Sequence, residues 1–322
     1  MIDFTPRGLK QQSQERLRGM ESDARRLVLI HTGVIVLLSL LSSGLNMYLD
    51  YQIGDTGGLS GLGARSFLQT LQTVLQYAIT LFTPFWSAGF LWVSLRFANG
   101  QRPGEKDLLS GFKRFSSILS YQVLLMLLYF ALAMACAYIT SILYSMTSFA
   151  DPVAELLEPM VASGSIDMSA IPAEALLSAY VPMLVIYCVV LLPVLVFFTY
   201  SLRLSEYFIM DQTRMSGMRA LRSSMQAMRG HRFQMFKLDL SFWWFYLLEG
   251  ILMVVCYLDV LLPLFGIALP FNDVVAFFVC LILYCVVELL LHLWKKPQID
   301  VTYALAYQSI VHPDNQDLTA QN

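Results

Sequence analysis

The sequence predicts an all-α integral membrane protein: six transmembrane helices with amphipathic helices at the cytoplasmic interface. Three observations carry that prediction. First, the 322 residues are 57% hydrophobic and only 14% charged, with mean hydropathy +0.60, whereas soluble domains carry about 25% charged residues. A chain this apolar dissolves much of itself in lipid. Second, the apolar residues gather in six blocks. Each is long enough to cross a hydrocarbon core of about 30 Å at about 1.5 Å per residue. Third, Lys and Arg keep to alternate connections. Residues 1–26 hold six, 96–115 five, 203–237 seven and 295–322 two, which leaves only Arg65 on the other side. The positive-inside rule then places both termini in the cytoplasm.

Residues 1–26 form a basic segment in which apolar residues recur loosely, as in a short surface helix. Span one, 27–49, serves as the insertion signal, because the polar start has no cleavable signal pattern. The Gly-rich stretch DTGGLSGLG in 50–70 is turn chemistry; a phosphate loop would need a following GK[ST] and a preceding strand. Span two, 71–95, has Gln69, Gln72, Thr73, Gln76, Thr80, Thr83 and Ser87 at three- and four-residue steps, hence on one helical face. That face reads as interhelical hydrogen bonding, with a wet path as the alternative. Pro84 predicts a kink.

In the next loop Leu108, Phe112, Phe115 and Leu119 make an apolar stripe, which predicts a short interfacial helix. Span three, 117–146, carries a small-residue ridge of Ala133, Ala137 and Ser141, suited to close helix packing. Residues 147–176 hold Asp151, Glu155, Glu158, Asp167 and Glu174 without Lys or Arg, and read as a solvated loop on the far side. They lack EF-hand ligand spacing. Span four, 177–202, contains Pro182 and Pro193. Span five covers 238–262 and span six 274–294, ending at Lys295 and Lys296; 295–322 is a polar cytoplasmic tail. The order span, basic amphipathic segment, span occurs at 71–146 and again at 177–262, which suggests an internal repeat.

The stretch 214–232 joins spans four and five. As a helix it presents Met215, Met218, Leu221, Met225 and Met228 as an apolar stripe. Ser216, Ala220, Ser223, Ala227 and Gly230 make a small face. Arg219, Arg222, Arg229 and the adjoining Arg232 are candidate contacts for anionic lipid phosphates. An ordinary positive-inside loop is the alternative. Gly230 is placed to end the helix.

This stretch also carries a resemblance. Ser224, Met228, Gly230, His231, Phe236, Leu238, Leu240, Ser241, Phe242 and Trp244 resemble the signature of the domain of unknown function 975 family. Gly111 to Phe115 (GFKRF) and Thr302 to Tyr307 (TYALAY) agree with it. Lys295-Lys296-Pro297-Gln298 departs from it, standing where the family runs into Pro-Tyr. The resemblance implies a multi-pass bacterial plasma-membrane protein and brings no activity with it.

Ionisable groups inside apolar blocks cost at least about 2.5 kcal/mol at the bilayer centre, so they face protein or water. Glu249 in span five and Glu288 and His292 in span six are the candidate intramembrane polar site, with Gln76 and Thr80 of span two. Asp239 and Asp259 lie near the ends of span five. The alternative is a neutral, hydrogen-bonded strut at Glu249, with Glu288 and His292 near the headgroups.

The five cysteines all lie in apolar stretches and read as small hydrophobes, not as a disulfide framework or a zinc site. HExxH, G-x-S-x-G, Walker A and Cys-x-x-Cys patterns are missing, so no enzyme, cofactor or metal is expected. Nor does any basic tail or basic-aromatic interleaving point to nucleic acid. The expected partners are membrane lipids, anionic ones included. The function expected is organisation of lipid or partner proteins at the cytoplasmic face. A transporter or export accessory built around Glu249 is the alternative, and a membrane-embedded enzyme ranks last.

Overall fold

A computed structural model describes residues 5–55, 62–151, 173–256 and 273–312. The described chain is helical, with no strand. We number its helices α1 (Pro6–Leu17), α2 (Glu21–Asp55), α3 (Leu62–Ala98), α4 (Ser110–Lys113), α5 (Phe115–Ser145), α6 (Ala173–Leu202), α7 (Ser205–Asp211), α8 (Gly217–Ala227), α9 (Arg232–Leu240), α10 (Trp243–Cys256) and α11 (Asp273–Val311). Short 3₁₀ turns stand at Glu105–Leu109 and Ser148–Ala150. Among the described helices, five are long and apolar enough to cross a membrane. Counting α9 and α10 as one bent span makes six.

Burial is uneven along the spans. The middle and far ends of α2, α3, α5, α6 and α11 expose large apolar side chains such as Leu41, Tyr77, Phe130, Leu184 and Ile282. In a bundle whose outer solvent is hydrocarbon these faces need no protein cover. The fully buried residues gather at the basic end, where α2 and α5 begin and α3, α6 and α11 finish. There α1, α4, α7 and α8 pack between the long helices.

The N-terminal helix is not a surface element. Thr5 caps it by accepting from Gly8 N at 3.1 Å, and Pro6 occupies its first turn. Its apolar side, Leu9, Ser13 and Leu17, is buried against α11. Helix α11 in turn does not stop at Lys295-Lys296. It runs on through Pro297 to Val311, and Val301 to Tyr307 is among the most buried stretches of the protein.

The segment before α5 forms a short helix, as expected, and docks on α3. Leu108 is 1% exposed, while Phe115 is half-exposed with its ring stacked on Phe85, 4.7 Å between centres. The contact depends on two glycines. A Cβ on Gly89 would stand 1.8 Å from the Leu108 carbonyl oxygen, and one on Gly111 would stand 2.0 Å from that of Phe85. Helix α3 is continuous through Pro84, as α6 is through Pro182 and Pro193. The small ridge of α5 is not its packed face: Ala137 and Ser141 point outward, and Cys136 and Thr140 are buried instead. Of the other cysteines, Cys285 is buried and Cys188 exposed.

Span five is broken. Helices α9 and α10 meet at 65° across Ser241-Phe242. The acidic positions Glu155, Glu158 and Asp167, together with Asp259, lie outside the described residues.

Candidate functional site

Helix α8 buries one side and exposes the other. Gly217, Ala220, Leu221 and Ser224 pack on α5 and α7. The Ser224 hydroxyl donates to the Ser201 carbonyl at 2.9 Å and accepts from Leu204 N at 3.2 Å. It therefore ties α8 to the joint between α6 and α7. The expected methionine stripe divides: Met215 and Met228 are buried, while Met218 and Met225 are exposed. Arg219, Arg222 and Arg229 are exposed beside them and form no hydrogen bond or ion pair with a described residue. Gly230, at φ +87°, reverses the chain where an L side chain would be strained. Arg232 differs from the other three: it is half-buried, with its guanidinium 4.3 Å from the centre of the Phe197 ring. Phe233, Phe236, Leu240 and Trp243 then expose an apolar edge along α9 and into α10, with Lys237 lying 4.7 Å over Phe233.

The intramembrane candidates separate into one joined pair and three residues that stand apart. Glu249 Oε1 of α10 and His292 Nε2 of α11 are 3.0 Å apart. The other ring nitrogen of His292 reaches Thr32 Oγ1 of α2 at 3.2 Å. One imidazole therefore links three helices and is itself buried. Glu288, one turn before His292, makes no hydrogen bond or ion pair with a described residue. Gln76 accepts from Ser42 of α2 at 2.9 Å. Thr80 donates to the Gln76 carbonyl of its own helix at 2.8 Å, and Thr73 and Thr83 satisfy themselves in the same way. The polar face of α3 thus contributes one bond between helices and several within its own. It does not reach Glu249.

A larger polar cluster, outside the sequence-predicted site, stands at the break of span five. Asp239 at the end of α9 accepts from Arg203 Nη1 at 2.6 Å, from the Tyr200 hydroxyl at 2.7 Å and from the Tyr303 hydroxyl. With the Tyr303 proton committed to Asp239, the Tyr246 hydroxyl, 2.7 Å away, is the donor to Tyr303. The Arg203 guanidinium also lies 4.5 Å over the Tyr303 ring. The Ser241 carbonyl, left without its helical partner by the break, accepts from Lys10 Nζ at 2.6 Å. The sequence holds only a faint signal for this cluster: an arginine and an aspartate each ending an apolar block, and the two tyrosines of TYALAY four residues apart. That segment also supplies Thr302, which donates to Ser13 of α1 at 2.9 Å, and Tyr307, which donates to Asp211 at 2.9 Å. Arg114 of GFKRF donates to the carbonyls of Ile209 and Gln212 at the end of α7.

No group of three or more His, Cys, Asp or Glu among the described residues is arranged to hold a metal ion. Of the residues that carried the family resemblance, Ser224, Arg114, Thr302, Tyr303 and Tyr307 make contacts that hold helices together at the basic end, whereas Phe236 and Leu240 face outward.

Among known proteins, a family model described as a protein of unknown function, DUF975, matches residues 4–313. No curated protein and no solved structure matches.

Proposed function

Because the chain belongs to the DUF975 family, whose function is unknown, we propose its role from its own surface: it is a non-enzymatic, multi-pass plasma-membrane protein of bacteria that organises anionic lipid, or partner proteins, at the cytoplasmic face. In this reading the basic end faces the cytoplasm, with both termini there. One observation carries it. Arg219 and Arg222 on the outer side of α8, and Arg229 just past its end, are exposed and unpaired with described residues, while the inner side of α8 is held in the core. Unpaired guanidiniums beside exposed Met218 and Met225, with the apolar edge of Phe233, Phe236 and Trp243 next to them, suit a headgroup layer. Phosphates there meet the charges and acyl chains meet the rings.

The test uses the full-length protein. Native mass spectrometry after gentle detergent extraction counts the anionic phospholipids retained. Arg219→Gln, Arg222→Gln and Arg229→Gln combined should retain fewer, with zwitterionic lipid unchanged. Equal retention of anionic lipid by the variant and the parent protein would remove this reading.

A second reading, a transporter or export accessory, draws on a different observation. The Glu249–His292–Thr32 chain joins two membrane-length helices, α2 and α11, to α10, one half of the broken span, and ionisable groups inside apolar helices are often parts of ion or proton paths. Glu249→Gln should then abolish proton-coupled flux in proteoliposomes. Flux that survives the substitution would take this pair out of the transport path.

A further inference from the structure

A cavity of about 170 Å³ lies within the basic end, between α2, α3, α7 and α11. It is separate from the exposed arginines of α8, so its occupant is independent of the lipid reading. Its walls carry chargeable groups of both signs: Glu206 from α7, and Lys296 and Asp300 from α11. None of the three forms an ion pair with a described residue. His31 of α2 also faces the cavity, and it is only 3% exposed. Its ring is clamped against Phe90, 4.3 Å between centres, yet neither of its nitrogens has a hydrogen-bond partner. The buried Asp300 Oδ2 likewise has none. The nearest engagement is a long contact, 3.5 Å from Gln122 Nε2 to Glu206 Oε1.

Buried polar groups in folded proteins are almost always hydrogen-bonded, and buried charges are paired. Several such groups left open around one cavity are matched by whatever the cavity holds. The acceptors, Glu206 and Asp300, call for a donor of positive charge. The donor Lys296 calls for an anionic acceptor. His31 can supply one of each role. Phe90 and Leu91 add an apolar wall. The volume is too small to enclose a whole phospholipid or a peptide.

We propose that this cavity binds a small zwitterion bearing both a primary amine and a carboxylate, the chemistry of a free α-amino acid with a small side chain. The amine sits against Asp300 and Glu206, the carboxylate against Lys296, and His31 closes the remaining hydrogen bond. In the sequence, position 296 reads only as the stop of a span. On the continuous α11 it falls one turn beyond His292 and one turn before Asp300, so His292, Lys296 and Asp300 lie along one side of the helix.

The experiment is calorimetric titration of the full-length protein in lipid nanodiscs with glycine, methylammonium and acetate in turn. Glycine is expected to bind, with each half-molecule weaker by about tenfold or more. Lys296→Gln and Asp300→Asn should each weaken glycine by about tenfold or more. Should either fail to fold, Ser87→Leu fills the cavity without altering a charged group and should abolish glycine binding. No heat from glycine to about 10 mM would mean that water alone fills the cavity, and the proposal is overturned. So it is if methylammonium binds as tightly as glycine, which is the behaviour of a simple cation site, or if glycine binding survives Ser87→Leu. Anionic-lipid retention is expected to be the same in all these variants, so this proposal and the lipid reading fail independently.

Discussion

Asp239 collects a guanidinium and two phenolic hydroxyls on one carboxylate. Its side chain is 16% exposed and that of Arg203 26%, so solvent screens the pair only in part. Removing one partner of such a pair strands the other, which costs more than the pair itself contributes. Asp239→Asn should therefore lower unfolding stability by about 2–3 kcal/mol, read from thermal unfolding in detergent. Tyr303→Phe, which removes one neutral donor and leaves Arg203 in place, should cost about 1 kcal/mol. Equal costs for the two would mean that the charge on Asp239 contributes little. The sequence points to Glu249 and His292 because each is an ionisable residue inside an apolar block. It holds no comparable sign for Asp239, which lies beside Lys237 and looks like an ordinary boundary charge. Its three donors come from residues 36 to 64 positions away, a proximity that only folding creates.

At the scale of elements, the contact between α3 and the 105–113 segment is backbone on backbone. With a Cβ at Gly89 or Gly111, the two chains must move apart, and forced separation in a packed region costs about 1–3 kcal/mol. Gly111→Ala should accordingly raise proteolytic cleavage in 99–104 as the turn lifts from α3. Cleavage no faster than in the parent protein would show that the segment can shift at little cost. The stripe of Leu108 and Phe112 correctly marked an apolar face, but an apolar face does not say whether lipid or protein will cover it. The break between α9 and α10 was hidden for a related reason. Ser241-Phe242 contains neither Pro nor Gly, the usual local causes of a kink. The bend is held by tertiary partners: Lys10 on the freed Ser241 carbonyl, and Arg203, Tyr200 and Tyr303 on Asp239.

Across the whole molecule, the protein has a dense end and a sparse one. The dense end carries most of the Lys and Arg and the buried core. The sparse end exposes apolar side chains along its length. The C-terminal segment belongs to the dense end, because Ala304, Leu305, Ala306 and Tyr307 are almost wholly buried. Truncation after Trp294 should therefore abolish folding of the basic end, seen as loss of a cooperative unfolding transition and of membrane accumulation. A dispensable polar tail would leave both intact. A reporter fused after Asn322 should be active only in its cytoplasmic form if the basic end faces the cytoplasm, and activity outside the cell would reverse the orientation.

Composition and periodicity alone determined that the chain is all-α, that five or six of its blocks are long enough to span a bilayer, and which connections carry the Lys and Arg. These follow from transfer of side chains between water and hydrocarbon, which each residue undergoes largely independently of its distant neighbours. Only the tertiary structure decided which polar residues meet, where span five bends, and that the last helix continues into the core. Those outcomes depend on hydrogen bonds and close contacts between segments far apart in the chain. The same serine, tyrosine or lysine is a surface residue or a buried partner according to what folding brings opposite it.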